Sequence, residues 1–234
     1  MHKNKYKHLF FDLDRTLWDF EASALHTFHD IYKRYALHEK GIESVVSLMA
    51  VFNDHNERLW TLYRNGQIAK EVLRGIRFEY TLKSFNIEDK QLADAMSDDY
   101  VYYSPRNVHL FPHAIEVLEK LNVVYPLHLI TNGFEEVQHK KLETSGLGKF
   151  FRTVTTSEEA GVKKPDKGIF EYALSKAGGE PDKSVMIGDD LEVDIEGAKN
   201  AGLDQIYFNP DGISHDTSVT CEIRSLTDLY ILLG

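Results

Sequence analysis

The chain has 234 residues, 42% of them apolar, and a formal net charge of −10 from 27 Lys+Arg against 37 Asp+Glu. That is enough apolar material for a real core in one or two domains, and the acidic balance argues against a nucleic-acid polymer as partner, since phosphate-backbone grooves need surplus Lys and Arg. The one cysteine, Cys221, allows no internal disulfide and fits a reducing cytoplasm. No apolar run approaches the roughly 18 residues of a membrane span, and Asp12 interrupts the short run that follows the basic start, so neither a membrane partner nor a leader segment is expected.

In chain order, Lys7 to Leu13 reads as a buried strand, nearly all apolar and ending in acids. From Trp18 to Ser104 the pattern becomes helical. Apolar residues recur at three-and-four spacing in Ala22 to Tyr35, Val45 to Tyr63, Ala69 to Phe85 and Gln91 to Tyr103, with breaks near Gly41, Asn65-Gly66 and Asn86. After Pro105 strand and helix alternate. Helix is predicted over Pro112 to Leu121, Glu135 to Thr144, Ile169 to Lys176, Ile195 to Ala201 and Leu226 to Leu233. Strands are predicted over Leu127 to Ile130, Phe151 to Thr155, Ser184 to Ile187 and Gln205 to Phe208. This alternation predicts an α/β fold, a doubly wound, Rossmann-like parallel sheet. Its catalytic core spans 1–17 and 105–234, and an all-helical cap over 18–104 is inserted after the first strand.

Four segments carry groups suited to phosphoryl transfer. Asp12 and Asp14 stand two apart at a strand end and so share a face. Asp12 is placed to attack phosphorus, and Asp14 to protonate the leaving oxygen and then deprotonate the incoming water. Thr16 would brace their loop through a hydroxyl-to-backbone bond. Asn132-Gly133 is ordinarily a hairpin signal, but no strand follows it. The turn is then read as offering backbone N–H groups to an anion at a helix start, with Thr131 adding a hydroxyl donor.

Lys164, held toward an extended conformation by Pro165, would neutralise the transferring phosphoryl group. Asp189, directly after a buried strand, suits Mg²⁺ coordination, and Asp194 falls at the start of the next helix, where acids are common caps. Arg15, Trp18 and Phe20 lie just past the first acidic pair as candidates to face substrate. The two aromatics either stack on a base or pack a hinge. His109 and His113 have metal-like spacing, but Pro112 between them opposes one continuous helix.

Asp12-Leu13-Asp14-Arg15-Thr16, Thr131, Lys164 and Asp189 together resemble, in order, the four motifs of the haloacid dehalogenase superfamily. Ile130 to Phe134, Ser157 to Pro165 and Gly188 to Ile195 look most like its pyrimidine 5′-nucleotidase subgroup. The resemblance implies a Mg²⁺-dependent phosphomonoesterase with an aspartyl-phosphate intermediate, acting on a small phosphorylated metabolite, a pyrimidine-preferring nucleoside 5′-monophosphate. It implies that Asp12 is nucleophile and metal ligand, that Asp14 gives its backbone carbonyl to Mg²⁺, and that Asp189 completes the metal site. Thr131, Asn132 and Lys164 would bind phosphate, while Thr16, Asp190 and Asp194 would stand behind the direct ligands. Between Asp189 and Asp190, Asp189 is the preferred ligand.

A sugar-phosphate phosphatase or phosphomutase is the alternative reading, because the shared chemistry does not reveal what the cap admits. Displacement of halide from a 2-haloacid needs neither a proton donor nor a metal, and would leave Asp14 and Asp189 unexplained. A catalytically silent phosphate-ligand sensor would be expected to have lost Asp12, Asp14 or Lys164, and all three are present.

Overall fold

Strands covered on both faces need continuous apolar runs, and Leu9, Phe10 and Phe11 are accordingly all fully buried. They form β1 (His8–Phe11) of a computed structural model that describes residues 5–234, so the basic residues Met1–Asn4 lie outside it. Helices α1 (Phe20–Arg34), α2 (Val45–Arg64), α3 (Lys70–Ser84) and α4 (Lys90–Tyr103) follow, then α5 (Ala114–Val124), β2 (Leu127–Thr131), α6 (Glu135–Ser145), β3 (Phe151–Thr156) and α7 (Ser157–Ala160). The chain continues through α8 (Lys167–Ala177), β4 (Ser184–Gly188), α9 (Gly197–Asn200), β5 (Asp204–Phe208), β6 (Cys221–Ile223) and α10 (Leu229–Leu233).

The six strands pair in parallel in the order β3-β2-β1-β4-β5-β6, with Leu9 opposite both Leu127 and Val185. Chain order runs outward from β1 to β2 and β3, then returns to β4 on its other side. The switch point of the doubly wound sheet therefore lies between β1 and β4, at whose carboxyl ends such sheets bind ligands. Alternation along β1 divides the core. Leu9 and Phe11 join Leu127, Leu129, Val185 and Ile187 under α5 and α10, whereas Phe10 joins Ile130, Met186, Ile169 and Phe170 on the opposite face.

The chain separates into two compact units, one made of the chain up to Phe20 with Val108–Gly234, the other of Glu21–Asn107. The helical unit is built around Phe28, Phe52, Phe78 and Tyr100, with ring centroids 4.8–5.9 Å apart. Its boundaries differ by about three residues from the predicted 18–104, for a physical reason. Phe111 N–H donates to the Leu17 carbonyl and Asp19 N–H to His109, which stitches 17–19 to the sheet unit. The Asn107 side-chain amide donates to Thr27 Oγ1 and stays with the helices.

Four elements differ from expectation. The helix predicted from Ile195 starts four residues earlier, in a wide π-type turn over Leu191–Glu196 whose Ile195 N–H reaches back to the Asp190 carbonyl. Ala114 opens α5 after His113, which takes a left-handed φ of 66° and so ends any helix through Pro112. The edge strand β6 and the one-turn α7 were too short to show a period. No helix among the described residues is long and apolar enough to cross a membrane.

Candidate active site

Asp12 follows β1 and is fixed there by its N–H donating to the Ile187 carbonyl of β4. The chain then doubles back: Thr16, Leu17 and Trp18 N–H groups all point to the Leu13 carbonyl, Arg15 adopts φ 65°, and Arg15 N–H donates to Trp18. A left-handed conformation at a non-glycine residue is strained and typical of a functional loop. This fold-back turns Asp12 and Asp14 toward the carboxyl ends of β1, β2 and β4.

Lys164 reaches the same place from the loop between α7 and α8. Its ammonium, 2% exposed, bonds Asp12 Oδ1 at 2.5 Å, Asp194 Oδ1 at 2.7 Å and the Ile130 carbonyl at 2.9 Å. Burial alone would pull this ammonium down, but the two carboxylates outweigh it and hold it charged. Burial pushes Asp12 and Asp194 up, with Lys164 opposing. Asp189 is raised further, by burial and then by the neighbouring Asp194 and Asp12 charges.

Asp12, Asp189 and Asp194 offer carboxylate oxygens all within 4.8 Å of one another. Three carboxylates against the Lys164 ammonium and the Arg15 guanidinium that acts on Asp189 leave an excess of negative charge in a nearly dry setting. A divalent cation with a preference for oxygen donors, such as Mg²⁺, would relieve this repulsion, and these three side chains fit such an ion.

The geometry revises several expected roles. The acidic cluster of Asp12 and Asp189 is completed by the carboxylate of Asp194, which was expected to stand behind the direct ligands. Asp194 is 1% exposed and, far from capping a helix, bonds Lys164 and the Asp190 N–H. The cap is Asp190, whose Oδ1 accepts from Glu192 and Val193 N–H at 2.9 Å, so its carboxylate is turned to its own helical turn. Thr16 is buried, and its hydroxyl donates to Asp189 Oδ1 at 3.2 Å rather than to backbone.

The Asn132 amide is committed at both ends, donating to the Lys164 carbonyl and accepting from the Lys164 N–H. It therefore positions Lys164 through both ends of its side-chain amide. Thr131 Oγ1 accepts from Gly133 N–H and from Gln138 Nε2, so its own hydroxyl proton is left to donate outward. Trp18, expected to face substrate or pack a hinge, is 1% exposed inside the hydrophobic core and packs. Phe20 is half-buried against that cluster, with the Arg15 guanidinium 5.2 Å from its ring centroid.

Two residues at the site escaped sequence reasoning. Gln138 and Lys141, both buried on α6, bond the two oxygens of the Asp14 carboxylate: Gln138 Nε2 at 2.8 Å from Oδ2, and Lys141 in an ion pair with Oδ1. The available signal was a pair of polar residues one turn apart beside Leu142, the one large apolar residue on that face.

The comparisons with known proteins show the family to which the chain belongs. The family model for haloacid dehalogenase-like hydrolases matches residues 6–202. Two pyrimidine 5′-nucleotidases are similar over nearly their whole length. YjjG of Escherichia coli is 34% identical (98% of this chain, 98% of the relative), and PynA of Streptococcus pneumoniae 32% identical (96% and 93%). Among solved structures, the HAD-hydrolase YfnB of Bacillus subtilis bound to magnesium superposes with a TM-score of 0.87 at 29% identity, covering 97% of this chain and 98% of that one. The chain belongs to the haloacid dehalogenase-like hydrolase family and is an enzyme of its phosphatase kind.

Proposed function

We propose that the enzyme is a Mg²⁺-dependent phosphomonoesterase acting through an aspartyl-phosphate on Asp12, with pyrimidine nucleoside 5′-monophosphates as preferred substrates. The observation that carries the chemistry is Asp12 itself: a nearly buried carboxylate at the switch point, with Lys164 at 2.5 Å and Asp189 and Asp194 beside it. Mg²⁺, when bound, supplies charge neutralisation for the transferring phosphoryl group. A free Asp12 oxygen attacks phosphorus while the alkoxide leaves. Asp14 gives that oxygen its proton, then takes one from the water that attacks the phosphorus of phospho-Asp12. Lys164 offsets the phosphoryl charge and the Thr131 hydroxyl donates to one of its oxygens. The substrate preference is supported by the two nucleotidase relatives, which align end to end with this chain.

The test is phosphate release across pyrimidine and purine nucleoside monophosphates and sugar phosphates, with Mg²⁺ or with chelator, for wild type and Asp12→Asn. Expected are fastest turnover of pyrimidine nucleotides, loss on chelation, and no turnover by the Asn variant, whose amide is a poor nucleophile. Turnover by Asp12→Asn refutes the mechanism. A sugar phosphate hydrolysed faster than every nucleotide refutes the substrate assignment alone.

A further inference from the structure

A buried lysine is costly unless its charge is matched, because desolvation of an ammonium amounts to several kcal/mol. Lys141 is 4% exposed on α6. Its ammonium meets the Asp14 carboxylate and, at 5.2 and 5.7 Å, the ring centroids of Trp18 and Phe20. Apolar packing alone would be served better by Leu or Met at this position. One turn earlier Gln138, with no exposed surface, gives Nε2 to Asp14 Oδ2 at 2.8 Å and to Thr131 Oγ1 at 2.6 Å. Its Oε1 is left buried without a partner. An unmatched buried acceptor costs about 1–3 kcal/mol, and here it is tolerated so that the amide nitrogen faces Asp14. Gly133 makes the room: a Cβ there would come within 2.9 Å of Gln138 Cγ.

We propose that Lys141 and Gln138 are positioning residues, a two-point grip that fixes the torsion of the Asp14 carboxylate for proton transfer and couples it, through Gln138, to the Thr131 hydroxyl. Trp18 and Phe20 belong to the same device as the aromatic walls around the Lys141 ammonium. A carboxylate hinged on one rotatable bond would otherwise sample several orientations, and misplacement of a reacting group by about 1 Å costs on the order of 10²-fold in rate. This inference rests on the proton-transfer role given to Asp14 above.

The experiment compares kcat/KM, which reports the first irreversible step, for a nucleoside 5′-monophosphate and for p-nitrophenyl phosphate with Mg²⁺ present. The variants are Asp14→Asn, Lys141→Met, Lys141→Arg, Gln138→Met and Asp14→Asn/Lys141→Met. An alkoxide must be protonated as it leaves, whereas nitrophenolate leaves readily, and general acid catalysis is worth about 10² to 10⁴-fold. Lys141→Met is expected to lose about 10 to 10²-fold on the nucleotide and far less on the aryl ester. Lys141→Arg should recover part of that loss, and Lys141→Met should add nothing on the nucleotide once Asp14 is Asn. If Lys141→Met does not fold, Gln138→Met carries the same comparison, since it loosens the other carboxylate oxygen. An even loss on both esters, or a loss that adds to that of Asp14→Asn, overturns the grip while leaving the Asp14 assignment intact. An even loss for Asp14→Asn itself overturns the proton-transfer reading, and the grip with it.

Discussion

Gly188 closes β4, where adding one methyl group strikes the centre of the site. A Cβ there would lie 2.5 Å from Asp194 Cγ and 2.6 Å from its Cβ, against about 3.5–4.0 Å for comfortable carbon contacts. The overlap is therefore about 1 Å, and Asp194 has little freedom to absorb it. It is 1% exposed, its Oδ1 is bonded to Lys164 at 2.7 Å and its Oδ2 accepts from Asp190 N–H. A displacement of that size takes the Lys164 bond beyond hydrogen-bonding reach and drags one corner of the acidic triad out of place. Gly188→Ala should cost about 1–3 kcal/mol through overpacking and about 10²-fold in kcat/KM through misplacement, with a raised Mg²⁺ requirement. Guanidinium melts and a Mg²⁺ titration of phosphate release measure both effects. Gly75→Ala is the control, since its Cβ meets nothing within 4 Å in the middle of α3, and it should stabilise by about 0.5–1 kcal/mol. Wild-type stability and Mg²⁺ dependence in Gly188→Ala would refute the packing argument.

Two further perturbations test the sheet unit, one away from the chemistry at His128 and one at the aromatic wall beside the Lys141 ammonium. His128, stacked on Phe10 and bonded to His8 and to the Thr153 hydroxyl, is pushed from 6.5 down to about 4 by burial, then by His8 and Arg152. The native state thus holds it neutral while the unfolded chain protonates it. Stability from this residue is complete above pH 6.5 and is lost as pH falls toward 4, by at most about 3 kcal/mol and less after solvent screening. Denaturant midpoints at pH 7 and pH 5 should differ less for His128→Gln than for wild type, and an unchanged difference counts against the assignment. Trp18→Ala should destabilise by about 3–5 kcal/mol, as loss of a large core ring does. It should also lower kcat/KM equally for uridine monophosphate and ribose 5-phosphate; a penalty confined to the nucleotide would restore Trp18 as a base-stacking residue.

The acidic strand end at Asp12, the Thr131 turn, Lys164 and Asp189 were legible because each sits directly after a short apolar run or a Pro-marked turn, where local rules of strand and loop apply. Roles that depend on which partner a side chain finds were not legible. Asn132 was read as part of an anion-binding turn, and nothing in that reading foretold that its side chain clamps the backbone of Lys164, 32 residues away. Asp194 was expected to stand behind the direct ligands, and a π-type turn starting four residues early carries its carboxylate inward to Lys164 and the acidic cluster. Trp18 read as a candidate for substrate or hinge because its place in the chain, beside the acidic loop, says nothing of the fold-back onto Leu13 that buries it.

By itself, then, the sequence determined the α/β alternation, the inserted helical segment and the identity of the groups able to do phosphoryl chemistry. These follow from hydrophobic period, turn residues and functional groups, which are local properties of the chain. Only the tertiary structure decided that Asp194 completes the acidic cluster and that Gln138 and Lys141 hold both oxygens of Asp14. Those outcomes depend on β1 lying between β2 and β4, which brings residues more than a hundred positions apart to one sheet end. There burial leaves each charge a choice of only a few partners, and the choice is made by proximity and desolvation rather than by neighbours in sequence.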